Sequence, residues 1–194
     1  MKQAKVLNKE EFKRLVKVVS TSKHAERNRL IVMLSYFAGL RACEIAALKV
    51  SDVINEHDGR WEAKSEVVLT SKQTKGKKAQ TVIINKSLQI EIEQFYTKVQ
   101  RLIDKDDFLF NSQKGGGFSS QTIQNLFRSF YLDAGIAHAS SHSGRRTFIT
   151  NLSEKGVSVR VIQELARHSN LATTQRYIDV SIIKLKNAAS LVSF

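Results

Sequence analysis

The last third of the chain sets a hydroxyl nucleophile in a basic frame: His142-Ser-Gly-Arg145, then His168, then Tyr177 closing the run Thr173-Thr-Gln-Arg-Tyr177. Three cation-capable side chains and a phenol, in that order, suit chemistry on a phosphodiester. A phosphoryl transition state spreads negative charge over its non-bridging oxygens, and without a bound metal that charge must be met by arginine forks and imidazoles. A tyrosine hydroxyl can then attack and hold the phosphate covalently.

His142 and Arg145 stand three residues apart, on one face of a helix start whose free N–H groups favour an anion. Arg145 is placed to clamp a phosphate, and His142 either takes and returns the phenol proton or caps its own helix from the core. Arg146 contacts a nucleic-acid backbone or an acidic neighbour. Upstream, Arg41 follows the Gly39 turn at the mouth of an apolar segment, where a guanidinium can be held rigidly against one phosphate from the opposite side. Glu44, three residues on, shares its face and either orients Arg41 or makes a surface salt bridge. A free phenol, with a pKa of about 10, is mostly protonated near neutrality, so attack by a tyrosine hydroxyl needs proton removal or a strongly electrophilic phosphate; Tyr177 is the candidate. Tyr36, Tyr96 and Tyr131 fall in apolar helical phases and read as core. His138 and His142 have a zinc-compatible spacing, but no cysteine or third histidine lies nearby and Gly135 weakens a helix there, so no metal site is assigned. Gly115-Gly-Gly117 lacks the Lys-Ser/Thr ending of a nucleotide phosphate loop.

The 194 residues suffice for one well-cored domain, and 42% hydrophobic with 25% charged residues describe an ordinary globule. A formal charge of +13 is not ordinary: it attracts a polyanion and makes binding salt-sensitive. Nucleic acid is the leading partner. Cys43 is the single cysteine, so neither an internal disulfide nor a thiolate cluster is available, which fits a reducing, cytoplasmic home. The longest uncharged apolar stretch, Leu30 to Leu40, is bracketed by Arg29 and Arg41 and is far shorter than the roughly 20 residues a membrane span requires. No membrane partner is expected.

The elements that must position these groups are mostly helical. Asn8 with Glu11 reads as an N-cap ahead of Phe12, Leu15, Val16 and Val19. The segment from about Glu26 to Phe37 is too apolar for a surface helix, and Gly39 ends it before a short helix carrying Arg41, Glu44 and Leu48. Val67–Leu69 and Thr81–Ile84 are β-rich runs flanking Thr74-Lys-Gly-Lys-Lys78, a hairpin with a flexible basic tip. Ser87 is read as the cap of a helix with Leu88, Ile92, Phe95 and Val99 on one face. Phe108-Leu-Phe110 forms a buried extended piece, and Ile123, Leu126, Phe127 and Phe130 mark the next helix. Three shorter helices are expected at about 143–154, 158–167 and 171–178, and Ile182, Leu185, Ala189 and Val192 are roughly in phase for a helical tail.

Ser141-His-Ser-Gly-Arg-Arg-Thr-Phe-Ile-Thr150, Gly156, Ile162-Gln-Glu-Leu165, His168 and Thr173–Tyr177 together resemble the C-terminal signature of the tyrosine recombinases, the phage-integrase family. Ala38-Gly-Leu-Arg-Ala-Cys-Glu44 resembles that family's first arginine box. The likeness runs from about Asn8 to Tyr177, in order and spacing. It implies a mainly α fold with a small antiparallel β-sheet: one integrase-type catalytic domain over 1–194, with 180–194 a tail that packs in cis or in trans. It implies Arg41, Lys75, His142, Arg145, His168 and Tyr177 as catalytic residues, Lys75 donating a proton to the leaving 5′-oxygen and His168 donating to a non-bridging oxygen. Lys72, Lys77 and Lys78 are rivals for the proton donor and otherwise touch DNA backbone, as does Arg146. Two departures stand out. Ile83 sits where the family commonly has Pro, and Arg167 sits where it usually has Gly, so the Arg167 side chain is expected to point to solvent or DNA. The likeness begins at the catalytic domain, as in a short form lacking the N-terminal core-binding domain or in a fragment.

The implied activity is site-specific DNA strand exchange through a 3′-phosphotyrosyl link, with no cofactor, neither ATP nor a divalent cation. Double-stranded DNA would be the partner, with a tetramer on DNA, a monomer allowed in solution, and an accessory DNA-bending protein. Two rivals remain open: a type IB topoisomerase-like enzyme that relaxes one duplex, and a non-catalytic DNA-binding regulator on the same scaffold.

Overall fold

The computed structural model describes residues 3–74, 76, 78–99, 103–112, 116–178 and 189–190. Lys75, Lys77, Lys114, Gly115 and, apart from Ala189, the phased tail residues lie outside the described residues. The chain divides into two compact units, 1–148 and 149–194.

In the first unit, α1 (Lys9–Ser20) begins with the expected capping box: the Glu11 N–H donates to Asn8 Oδ1 at 2.8 Å and the Asn8 N–H donates to Glu11 Oε2 at 3.1 Å. Its Leu15 and Val19 are fully buried. They pack on α2 (Ala25–Phe37), which is buried from Leu30 through Ser35. A helix hidden over six consecutive residues has no polar face, so its sequence shows apolar content and little amphipathic period. Helix α5 (Lys86–Val99) packs on α2 with Leu88, Ile92 and Phe95 inward. Its cap corrects the sequence reading. Asn85 Oδ1, not Ser87, accepts the Leu88 N–H at 2.9 Å, because the first helical residue is Lys86 and the capping position therefore falls one residue earlier.

Helices α3 (Ala42–Ala47) and α4 (Val50–Val53) lead into two separate antiparallel hairpins. Strands β3 (Glu66–Leu69) and β4 (Gln80–Ile83) pair with Val67 opposite Val82, both buried, while Val68 and Ile83 face outward. The other hairpin, β1 (Ile54–His57) with β2 (Arg60–Ala63), is absent from the sequence expectations. Its turn is Asp58-Gly59, with φ of 50° and 71°, the primed geometry that matches strand twist and that Asp-Gly favours. The expected buried extended piece is only partly seen: Phe108 forms an isolated antiparallel bridge with Lys49 and is half-buried, while Leu109 and Phe110 are buried at bends, tied by the Leu109 N–H to the Leu48 carbonyl at 2.8 Å. Helix α6 (Ser120–Asp133) packs on α3 and α1 and buries Ile123, Phe127, Phe130 and Tyr131.

Helix α7 (Ser143–Glu154) carries the chain into the second unit, where α8 (Val159–Ala166) and α9 (Leu171–Gln175) pack together. The third expected helix is shorter than 171–178: it ends at Gln175, and Tyr177 lies in the turn beyond, its N–H bonded to the Thr174 carbonyl at 2.9 Å. No helix among the described residues is long and apolar enough to cross a membrane.

Candidate active site

Arg41 and Arg145, over a hundred residues apart in sequence, are tied together through the turn that ends α2. Gly39 adopts φ +60°, the left-handed region, so the chain reverses there and its carbonyl is exposed to a donor from elsewhere. Arg145 is that donor: it is 4% exposed, and its Nη1 lies 2.5 Å from Gly39 O. A side chain at 39 has no room, since a Cβ would sit 2.7 Å from Phe148 Cδ1. Helix α7 is pressed as tightly on α2 one turn earlier, where a Cβ on Gly144 would meet Ser35 Oγ at 2.5 Å. The Ser-Gly-Arg sequence is therefore a packing requirement that lets Arg145 reach the turn. Ser143 and Thr147, both 0% exposed, lock the helix start. The Ser140 N–H donates to Ser143 Oγ at 3.0 Å, and Thr147 Oγ1 donates to the Ser143 carbonyl at 2.7 Å while accepting the Leu7 N–H at 2.8 Å. Behind them, burial pushes the Tyr131 phenol well above its ordinary range, the Gly144 N–H that it accepts offsetting this only in part. With Tyr96 it is buried core; Tyr36 is half-buried and stacks on Phe12.

Arg41 itself stands just before α3 with extended backbone, its side chain 22% exposed. Glu44 is 0% exposed and uses both oxygens on Arg41: Oε2 accepts the backbone N–H at 2.9 Å and Oε1 accepts Nη1 at 2.5 Å. The surface salt bridge is thus excluded, because a fully buried carboxylate needs charged and hydrogen-bonded partners and Arg41 supplies both. Arg41, Lys72 and His142 line one open concavity of about 420 Å³ with Gln73, Thr74 and Ser120. No carboxylate is among its described lining residues. His142 is exposed immediately before α7, its carbonyl accepting the Arg146 N–H at 2.9 Å, and Arg146 is half-buried. The base of the basic hairpin is pinned by Gln73, whose Nε2 donates to the Ala47 carbonyl at 2.9 Å and to Asp52 Oδ2 at 2.6 Å. Thr74 Oγ1 donates to the Lys78 carbonyl at 2.7 Å, while the side chains of Lys72 and Lys78 are exposed.

In the second unit, α8 ends in a reversal in which the Arg167 N–H bonds the Glu164 carbonyl at 2.9 Å and the His168 N–H bonds the Gln163 carbonyl at 3.1 Å. Arg167 occupies the left-handed position, φ 56° and ψ 47°, that glycine usually fills in this motif. Its side chain does not point to solvent as expected. Arg167 is 7% exposed, and its Nη1 donates to the Leu165 carbonyl at 3.1 Å. The left-handed backbone folds the side chain back along the helix end, where the last-turn Leu165 carbonyl accepts one guanidinium N–H. Gln163, 6% exposed, also grips the other side of His168: its Nε2 donates to the His168 carbonyl at 3.0 Å, and its Oε1 accepts Arg160 Nη1 at 3.0 Å. His168 Nδ1 lies 2.9 Å from Thr174 Oγ1, and the His168 and Tyr177 rings stack with centroids 5.6 Å apart at 24°. Gln163 and Thr174 carry no role in the sequence reading. Their signal was a polar residue at an inward helical phase, which a propensity reading passes over.

Residues 5–182 match the phage integrase family. The chain belongs to that family. It is 35% identical over 190 residues to the tyrosine recombinase XerA of Pyrococcus furiosus, an alignment taking in 95% of this chain and 60% of that protein. As an integrase-family chain it thus spans about three-fifths of the length of the curated relatives it matches. Among solved structures, that of XerA recombinase superposes with a TM-score of 0.76 at 26% identity, covering 97% of this chain and 66% of that one. The XerH site-specific recombinase bound to difH substrate shares the fold, with a TM-score of 0.74 at 24% identity over 100% of this chain and 56% of that one. The mainly helical integrase fold with small antiparallel sheets is therefore established for this chain.

Proposed function

We propose that this chain cuts and rejoins DNA as a site-specific recombinase, its two units working as one catalytic domain. The observation that carries the reading is the concavity where Arg41, Lys72 and His142 converge with no carboxylate among the described lining residues. Such a surface favours an anion of phosphate size and charge. Membership of a family whose relatives are tyrosine recombinases supports the same chemistry.

The Tyr177 oxygen attacks phosphorus while its proton passes to His142. The bond from phosphorus to the 5′-oxygen breaks, that oxygen takes a proton from Lys75 or one of its neighbours Lys72, Lys77 and Lys78, and the 3′-phosphate stays on tyrosine. Arg41 and Arg145 meet the charge that builds on the non-bridging oxygens, and His168 donates to one of them. Glu44 acts through Arg41, holding the fork in place. A 5′-hydroxyl from the partner strand then attacks the phosphotyrosine, and the phenol leaves with a returned proton. The bond energy is conserved throughout, so the cycle balances without ATP or a divalent cation. Double-stranded DNA is the substrate, engaged through backbone contacts from Arg146 and the hairpin lysines. Exchange between two duplexes calls for a tetramer on DNA, assembled from monomers in the cytoplasm with the help of a DNA-bending protein.

The test is incubation with nicked candidate attachment-site duplexes. Wild type is expected to give a protein–DNA adduct that survives SDS, and Tyr177→Phe to give none. Absence of any adduct from wild type on every duplex, with binding retained, overturns the reading in favour of a DNA-binding regulator.

A further inference from the structure

Thr174 carries a hydroxyl sealed from water, at 0% exposure, and among the described residues that hydroxyl has one hydrogen-bond partner, His168 Nδ1 at 2.9 Å. A hydroxyl holds one proton, and a neutral imidazole holds one proton on one of two nitrogens, so two arrangements are available. If Nδ1 carries the proton, Thr174 accepts it, and the buried threonine O–H is left without an acceptor. If Thr174 donates to the Nδ1 lone pair, every group in the pair is satisfied and the imidazole proton sits on Nε2. A buried donor left unpaired is the expensive outcome, so the second arrangement is favoured by roughly tenfold or more. We propose that Thr174 is a positioning residue that locks His168 in the Nε2–H tautomer, making the nitrogen remote from Thr174 a fixed donor to an anionic oxygen.

The surroundings hold the ring so that this choice has a directional effect. Gln163 fixes both backbone groups of His168, its carbonyl taking the N–H and its side-chain amide meeting the carbonyl. The Tyr177 ring stacks on the imidazole. With backbone and one ring face held, a proton on Nε2 is presented in one direction, as a preorganised donor must be. A histidine that offered a lone pair at that nitrogen would repel a phosphate oxygen. The tautomer follows from the geometry around Thr174 alone, and only what the donor meets rests on the strand-exchange reading.

Two-bond nitrogen–proton NMR of the imidazole rings, at a pH where His168 is neutral, reads the tautomer directly, with His168→Gln providing the assignment. Wild type and Thr174→Ser are expected to show a protonated Nε2 and a bare Nδ1. Thr174→Val, which keeps the shape and removes the hydroxyl, is expected to shift the tautomer ratio at least about tenfold toward Nδ1–H. A wild-type ring protonated on Nδ1, or a ratio unmoved by Thr174→Val, overturns the proposal. Should the valine variant fail to fold, the wild-type and serine spectra decide it. On nicked duplex, Thr174→Val should slow single-turnover adduct formation about tenfold with DNA affinity unchanged, and Thr174→Ser should restore it; full-speed cleavage by the valine variant overturns the proposal. If wild type forms no adduct, the strand-exchange reading falls, and the ring spectra still judge Thr174.

Discussion

Gly39→Ala is the substitution that couples fold to site most directly. The residue sits at φ +60°, where an L side chain costs about 1–2 kcal/mol. The added Cβ would lie 2.7 Å from Phe148 Cδ1, whereas carbon atoms in good contact are roughly 3.5–4.0 Å apart. The ring or the turn must therefore move by about 1 Å, and overpacking of that kind costs a further ~1–3 kcal/mol. The sum is about 2–5 kcal/mol of lost stability. Trp61, the single tryptophan, packs edge-on against Tyr96 at 5.1 Å and reports urea unfolding of the first unit by fluorescence. Phe148→Leu combined with Gly39→Ala separates the two causes, since it relieves the contact and leaves the backbone strain: about half of the loss should return. The functional effect should exceed the stability effect even where the variant is fully folded. Gly39 O anchors Arg145 at 2.5 Å, and displacing a catalytic group by about 1 Å costs on the order of a hundredfold in rate. A Gly39→Ala protein with the wild-type urea midpoint and wild-type adduct rate would mean that the turn at 39 supports neither the fold nor Arg145.

Glu44→Gln replaces one of the two acceptors on Arg41 with a donor, and with Glu44 wholly buried it should cost about 1.5–3 kcal/mol in urea unfolding and slow adduct formation more than Glu44→Asp does; equal behaviour of the two variants would contradict it. Asn85→Ala should destabilise by about 1 kcal/mol through loss of the α5 cap, while Ser87→Ala stays within about 0.5 kcal/mol, a ranking that thermal melts of the two proteins would check. Burial raises the Tyr131 phenol above its unfolded value, which is about 10, so its contribution is complete below that pH and is lost as pH rises past it. Tyr131→Phe should then flatten the alkaline limb of the stability profile, and an unchanged limb would count against the assignment.

Local rules were legible wherever one residue decides a local outcome. Asn8 and Glu11 announced α1, the apolar run 30–40 announced the buried helix, and the β-rich runs around Val67 and Val82, flanking a basic turn, announced β3 and β4. The hairpin of β1 and β2 escaped because only Ile54 and Ala63 of its strands are buried, leaving almost no alternation to read, although Asp58-Gly59 marked its turn. Asn85 lost the cap to Ser87 because both are good capping residues and only the observed helix start separates them. At the candidate site, residue types pointed to candidate groups but not to their supports. That Glu44 is buried, that Arg145 reaches the Gly39 carbonyl and that Arg167 folds inward on a left-handed backbone depend on contacts between distant segments or on dihedral angles, and neither is written in residue spacing.

In the proposed strand exchange the Tyr177 oxygen becomes the carrier of a DNA 3′-phosphate. Trapping wild type on a nicked duplex, digesting protein and DNA, and sequencing the nucleotide-bearing peptide by mass spectrometry tests it without reference to any downstream product. A phosphodiester-linked nucleotide is expected on Tyr177 and on no other residue. A nucleotide found on a different side chain, or an adduct of wild-type yield from Tyr177→Phe, would contradict it.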